Sequence, residues 1–220
     1  MAAAKLSRRA GSRRRVREVH SVLVCRGPHA CIPVMTGILA LWLPILVSAV
    51  FVFVVSSVVH MAVQWHKGDY KKLPDEDAVL DAIRKLGVPA GQFMFPCAGS
   101  MAEFKTPAMQ EKFKRGPVGM MIVRSGMSMN KSLGQWFMFC IVAGICVAYV
   151  TGLGIKPGAE GGHVFRVAGS VAVLCHAFTS VNDSIWKGVS WPTTWKFVVD
   201  GVLYGLVTGA AFAWLWPAAA

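Results

Sequence analysis

The chain has 220 residues, of which 55% are hydrophobic and 15% are charged, and its mean hydropathy is +0.51. Soluble globular chains carry about 25% charged and about 45–50% apolar residues, so this balance argues against a soluble enzyme domain or a disordered regulator and indicates an integral membrane protein. The formal charge is +12. The basic residues of the chain flank apolar segments, as basic residues that set membrane topology do. Because this explains the positive charge, we expect no nucleic-acid partner.

Residues 1–34 form a basic tail with eight basic residues and one acidic residue, Glu18. With this tail included, the basic residues on the two sides of the membrane nearly balance, and the positive-inside rule leaves the orientation open. We expect the natural start to be Met35, which places an uncharged N-terminus outside and the long loop described below in the cytoplasm. The alternative is a genuine cytoplasmic tail, which inverts this topology.

Four apolar segments are long enough to cross a bilayer as helices, which takes about 17 to 25 residues. They run from Ile38 to Val63, from Trp136 to Ile155, from Val164 to Val181 and from Trp195 to Trp216. Tryptophans fall at both ends of the segments, where indoles favour the headgroup level. The sequence therefore predicts an all-α membrane protein, a bundle of four transmembrane helices.

A long loop joins the first two spans. The domain organisation that we expect is a basic tail at 1–34, the first span at 35–65, the loop at 66–133, three spans at 134–216 and a short C-terminal tail at 217–220.

The loop carries two signals. Pro74 and the acidic residues after it begin a helix with an apolar face, and Gly87 and Pro89 end it. From Met101 to Arg124, aromatic and sulfur-containing side chains alternate with basic ones, as in segments that touch anionic head groups. A solvated basic loop is the alternative for that stretch. We predict a partly helical, cytoplasmic loop.

Three ionisable residues in the spans, His60, His176 and Asp200, lie at similar depth because spans one and three end in the leaflet where span four begins. Intramembrane ionisable groups are costly and are functional candidates by default. His60 and His176 are candidate ligands of a haem or a metal of unknown identity. His176 and Asp200 are candidates for an ion or proton relay. We favour a third interpretation, in which all three form structural hydrogen bonds.

Cysteine and methionine give weaker indications. None of the six cysteines forms a CxxC pair, and we expect buried free thiols. Seven of the eleven methionines lie between Met94 and Met129, with Cys97 among them. Thioether and thiolate ligands suit Cu(I), so a copper-handling loop is an alternative. We expect packing or partner contact for these methionines and no cofactor.

Small residues recur every four positions in two spans. Gly201, Gly205 and Gly209 form one stripe in the fourth span, and Gly144 and Ala148 have the same spacing in the second. Such stripes let helices approach closely in lipid. We expect packing within the chain; a second copy or another membrane protein is the alternative.

The sequence contains no recognisable catalytic motif, so we expect no catalytic residues and do not expect an enzyme. The favoured function is that of an accessory, scaffold or assembly factor whose loop binds a partner or the membrane surface. The alternative is a small ion- or proton-conducting, or haem- or metal-binding, membrane protein that uses His60, His176 and Asp200. The expected surroundings are the lipid bilayer of a bacterial inner membrane and a membrane-protein partner or a second copy.

Overall fold

The computed structural model describes residues 23–25, 31–33 and 35–219. The chain divides into two compact units, Met1–Val34 and Met35–Ala220. In the first unit, strands β1 (Leu23–Cys25) and β2 (Cys31–Pro33) pair antiparallel. The rest of the predicted basic tail lies outside the described residues.

The second unit is mainly helical and contains one small sheet. Its helices are α1 (Trp42–Ser57), α2 (Glu76–Lys85), α3 (Met101–Phe104), α4 (Pro107–Arg115), α5 (Met129–Gly154), α6 (Gly161–Ala177), α7 (Thr179–Lys187) and α8 (Trp191–Trp214). A 3₁₀ turn (Ile38–Leu41) precedes α1, and a π-helical segment (Val58–Val63) follows it. Strands β3 (Gly91–Phe95) and β4 (Gly119–Val123) pair antiparallel.

Four of the helical segments are long and apolar enough to cross a membrane, which is consistent with a multi-pass membrane protein. The first has the predicted bounds, Ile38–Val63. The second and fourth begin earlier than predicted, at Met129 and Trp191, and the third continues to Lys187. The differences arise because hydropathy marks only the apolar part of a helix, whereas its backbone hydrogen bonds continue through polar turns.

The loop between the first two spans contains α2, α3, α4 and the β3–β4 sheet. Asp75 caps α2 by accepting a hydrogen bond from the backbone N–H of Ala78 at 3.0 Å. The sheet was not predicted from the sequence. Its five-residue strands are short, and their apolar residues lie within a stretch that we interpreted as an interfacial segment.

The predicted glycine stripe of α8 packs against α6. A Cβ at Gly201 would lie 2.5 Å from Ala177 Cα, and one at Gly209 would lie 2.9 Å from the carbonyl oxygen of Phe165. At Gly205 it would lie 3.0 Å from the carbonyl oxygen of Gly169 on α6. The two helices therefore contact each other through their backbones, where a larger side chain has no room.

The predicted small residues of α5 face α1. A Cβ at Gly144 would lie 3.3 Å from the carbonyl oxygen of Ile45, and Ala148 is fully buried in the core beside Leu41. In addition, α1 contacts α8, and α5 contacts α6. The spans thus contact one another as neighbours in a bundle.

One end of the helical unit is closed by apolar packing and by hydrogen bonds. Leu41, Val147, Val164 and Phe212 are fully buried there in one hydrophobic cluster. The hydroxyl of Thr36 donates a hydrogen bond to the carbonyl of Ile155 at 2.7 Å. The other end, where α1 finishes and α8 begins, contains a cavity.

Candidate functional site

A chamber of about 890 Å³ lies between the spans, at the end where α1 and α6 finish and α5 and α8 begin. All four candidate spans contribute to its wall. The lining residues are Ser56, Ser57, His60, Met61, Met129, Leu133, Trp136, His176, Thr179, Ser180, Asp183, Phe197, Asp200 and Tyr204.

The chamber has a buried inner part and an exposed rim. Asp200 and Tyr204 are buried, whereas Met61, Leu133 and Thr179 are exposed. Its wall is mainly apolar, with a few polar groups that converge on the interior. This combination is characteristic of sites that bind small molecules.

The three ionisable residues predicted from the sequence, His60, His176 and Asp200, all line this one chamber. Their expected similar depth in the membrane is therefore matched by a shared cavity. The structure nevertheless gives Asp200 a different hydrogen-bond partner from the one considered in the predicted relay.

That partner is His66, which the sequence analysis did not select. Gln64 follows the π-helical segment with a left-handed backbone (φ 54°) and turns the chain there. The ring of His66 lies between two carboxylates: Nδ1 is 2.7 Å from Asp69 Oδ2, and Nε2 is 2.8 Å from Asp200 Oδ2. Two ionised carboxylates can both accept hydrogen bonds only from the doubly protonated ring.

Asp69 is held by a second cation. The ammonium group of Lys196 donates a hydrogen bond to Asp69 and another, of 2.8 Å, to the carbonyl oxygen of Trp65. Burial alone would raise the pKa of Asp69, but the hydrogen bonds and charges of Lys196 and His66 outweigh it and hold the pKa below 3.8. The Lys196 ammonium group and the His66 ring thus face the carboxylates of Asp69 and Asp200 at the junction of the loop with α8.

His60 stacks against this network. The ring centroids of His60 and His66 are 4.7 Å apart, and their planes differ by 12°. The ring of Phe197 also stacks on His66, with a centroid distance of 4.7 Å. The Nδ1 atom of His60 is 3.0 Å from the carbonyl oxygen of Ser56 and donates a hydrogen bond to it when it carries the proton. The side chains of His60, His66 and Asp200 therefore form one group, with potential ligand atoms within 4.8 Å of one another.

One oxygen of the Asp200 carboxylate has no hydrogen-bond partner in the described part of the chain. The side chain of Asp200 is 3% exposed, and this oxygen, Oδ1, is buried. An unsatisfied carboxylate oxygen in an apolar bundle is costly. A hydrogen-bond donor or a cation next to this oxygen would remove that cost.

His176 lies in a different part of the chamber, among aromatic rings. Its ring meets those of Trp136, Phe139 and Tyr204 edge to face, at centroid distances of 5.5 to 6.0 Å. Within the described part of the chain its Nδ1 atom is buried and has no partner. The haem and relay hypotheses for His176 stay predictions.

The methionine-rich stretch that suggested copper is spread over several elements. Met94 lies in β3 opposite Met120 in β4. Met109 is buried on α4, and Cys97 is exposed after β3. Copper binding by this loop stays a prediction.

His66 and Asp69 could have been found by one signal. They are spaced i, i+3 directly after the first span, and the span end is the place where a short polar segment can turn back to the bundle. Comparison with protein-family models, curated proteins and solved structures finds no match to this chain. The function is therefore argued from the geometry.

Proposed function

We propose that this chain is a membrane protein that binds a small amphiphilic molecule in the chamber, with the polar head of that molecule next to Asp200. The observation that carries the proposal is the chamber itself, which is lined by Asp200, a residue whose Oδ1 atom is buried and has no hydrogen-bond partner within the described residues. A polar group of a ligand would supply the missing partner.

The lining supports a ligand of mixed character. The rings of Trp136, Phe197 and Tyr204 offer apolar contact area, whereas the hydroxyls of Ser57 and Thr179 offer hydrogen bonds. A molecule with an apolar body and a polar head matches both kinds of surface. The exposed rim gives it a route of entry.

The packing of the bundle favours binding over conduction. The far half is filled by the fully buried side chains of Leu41, Val147, Val164 and Phe212. An ion that entered the chamber would meet this apolar core. Of the activities expected for His60, His176 and Asp200, ligand or metal binding is thus better supported than transport of ions or protons.

Native mass spectrometry of the purified full-length protein tests the proposal. We expect the wild type to retain a bound amphiphile from the membrane and Ser180→Trp, which fills the chamber, to lose it. Leu206→Trp is the matched control, because Leu206 is exposed on α8 and does not line the chamber. An empty wild type, or full retention by Ser180→Trp, would contradict the proposal.

A second candidate function is that of an accessory, scaffold or assembly factor, and one feature of the loop favours it. None of the residues of α2 is buried, and Val79 and Leu80 are exposed on it. In this proposal α2 contacts a membrane-protein partner, a second copy or the lipid surface, in a bacterial inner membrane. If deleting residues 74–87 left the mass of the particle purified from native membranes and its localisation unchanged, this proposal would fail.

A further inference from the structure

We infer that His60, His66 and Asp200 form a binding site for a divalent transition-metal ion at the polar end of the chamber. The inference rests on the proposed function in one respect, because it assumes that the chamber receives ligands. It adds a specific site and a chemical class of ligand. The starting observation is that the three side chains offer ligand atoms within 4.8 Å of one another.

The donor set has a definite preference. Two imidazoles and one carboxylate suit zinc and divalent iron or manganese, whereas magnesium and calcium prefer oxygen ligands throughout. Three protein ligands leave coordination positions open on such an ion. Those positions face a chamber that can admit water or the polar head of a ligand.

The second nitrogen of His66 is already positioned for this role, and that of His60 has a partner of the same kind before its ring turns. Nδ1 of His66 bonds to Asp69, and Nδ1 of His60 bonds to the carbonyl oxygen of Ser56. Metal-binding histidines usually donate their other ring N–H to a carboxylate or a backbone carbonyl in this way. Both rings therefore present Nε2 as the ligand atom, and the Lys196 ammonium holds Asp69 in place.

An independent observation also points to a ligand at this position. Oδ1 of Asp200 is buried, lies on a side chain that is 3% exposed, and has no hydrogen-bond partner within the described residues. Coordination of an ion by both oxygens of the Asp200 carboxylate would give Oδ1 the partner that it lacks. The ion would take the place of the proton between His66 Nε2 and Asp200 Oδ2, which are 2.8 Å apart.

Binding requires two local changes. The rings of His60 and His66 are stacked with their planes 12° apart, and an ion bound through Nε2 must lie near the plane of each ring. His60 must therefore turn about its side-chain bonds. His60 is exposed, and its rotation gives up the contact of Nδ1 with the carbonyl oxygen of Ser56. His66 Nε2 and Asp200 Oδ2 must also move apart from their separation of 2.8 Å, because two ligands of a tetrahedral ion lie farther from each other than a hydrogen-bonded pair.

The test is zinc retention by the full-length protein, purified without a histidine tag, stripped with a chelator, reloaded with Zn²⁺ and measured by elemental mass spectrometry. We expect one equivalent of Zn²⁺ in the wild type. His60→Ala, which removes an exposed ligand, should weaken zinc affinity by at least about tenfold. His163→Ala is the matched control, because His163 is exposed at the other end of α6 and should leave zinc affinity unchanged.

Cobalt gives a second readout that does not depend on stability. Co²⁺ bound to the wild type should show ligand-field absorption in the visible range, and Asp69→Asn, a change at a positioning residue, should shift that spectrum or weaken Co²⁺ binding by about 10–100-fold. Absence of bound zinc and cobalt in the wild type, or equal affinity in wild type and His60→Ala, would overturn the inference. If the amphiphile is still bound in that case, the metal site alone fails; if Ser180→Trp also retains the amphiphile, the proposed function fails as well.

Discussion

The Nε2 atom of His66 lies 2.8 Å from Oδ2 of Asp200, although the two residues are 134 positions apart in the chain. This contact joins the segment after the first span to the fourth span. Because both side chains are nearly buried, the pair is protected from water and salt. It lies beside the chamber, which Asp200 lines, and we expect it to contribute to the stability of the helical unit.

The first prediction concerns this pair. Asp200→Ala should lower the free energy of unfolding by about 1 to 3 kcal/mol, because it leaves the Nε2 atom of His66 in a nearly buried position without its hydrogen-bond partner. Asp183→Ala is the control, since Asp183 pairs with Lys187 on a half-exposed surface and should cost less than about 1 kcal/mol. Denaturant unfolding in detergent measures both; equal losses would show that the His66–Asp200 contact is energetically unimportant.

The second prediction concerns pH and Asp69. The pKa of Asp69 is held below 3.8 in the folded protein, so its ionised form stabilises the fold at neutral pH, and that stabilisation disappears as the pH falls through the lowered pKa. The difference in unfolding free energy between wild type and Asp69→Asn should be constant above about pH 5 and should shrink below about pH 4. A difference that persists unchanged down to pH 2 would contradict the prediction.

The third prediction concerns the contact between α6 and α8. Gly201→Ala should destabilise the protein by about 1 to 3 kcal/mol, because the added Cβ would lie 2.5 Å from the backbone of Ala177. Gly134→Ala on α5 meets no atom within 4 Å and should cause no loss. Thermal unfolding of the two variants in the same detergent measures both effects. A loss at Gly201 alone shows that the contact with α6 is responsible, whereas equal losses would show that any glycine-to-alanine change in these helices destabilises the protein.

The fourth prediction concerns orientation. Residues 66–133 contain eleven basic residues, so the positive-inside rule, applied to the chain from Met35, predicts a cytoplasmic loop. Cys97, which is exposed in the loop, should react with an impermeant thiol reagent in inverted vesicles and not in intact cells. The control is Glu160→Cys, in the loop before α6, in a chain whose native cysteines are replaced. This cysteine should react in intact cells and not in inverted vesicles. If both positions react from the same side of the membrane, the four-span topology is excluded.

The four spans could be predicted because each is an apolar segment of about twenty residues. A segment of that length is recognised even when its ends are placed a few residues away from the true helix ends. His60, His176 and Asp200 could be selected because they interrupt such segments. The spacing of His66 and Asp69 after the first span marks them only as a polar pair, because they lie outside the spans and reach Asp200 and Lys196 through the turn at Gln64. That turn is a tertiary feature with no pattern of its own in the sequence.

The smaller elements were harder to predict for a related reason. The β3–β4 sheet consists of two five-residue strands separated by more than twenty residues. Neither strand has a long alternating pattern, and their pairing depends on a contact that is distant in the chain. The helix α2 could be recognised because its start and stop signals are local, from Asp75 to Gly87.

The glycine contacts between α6 and α8 have a mechanical consequence. Two helices that meet backbone to backbone along Gly201, Gly205 and Gly209 cannot slide or tilt independently without a clash. They make a rigid wall for the chamber. Widening that admits or releases a molecule would therefore involve the other segments of the wall, among them the end of α1, where a π-helical turn carries His60.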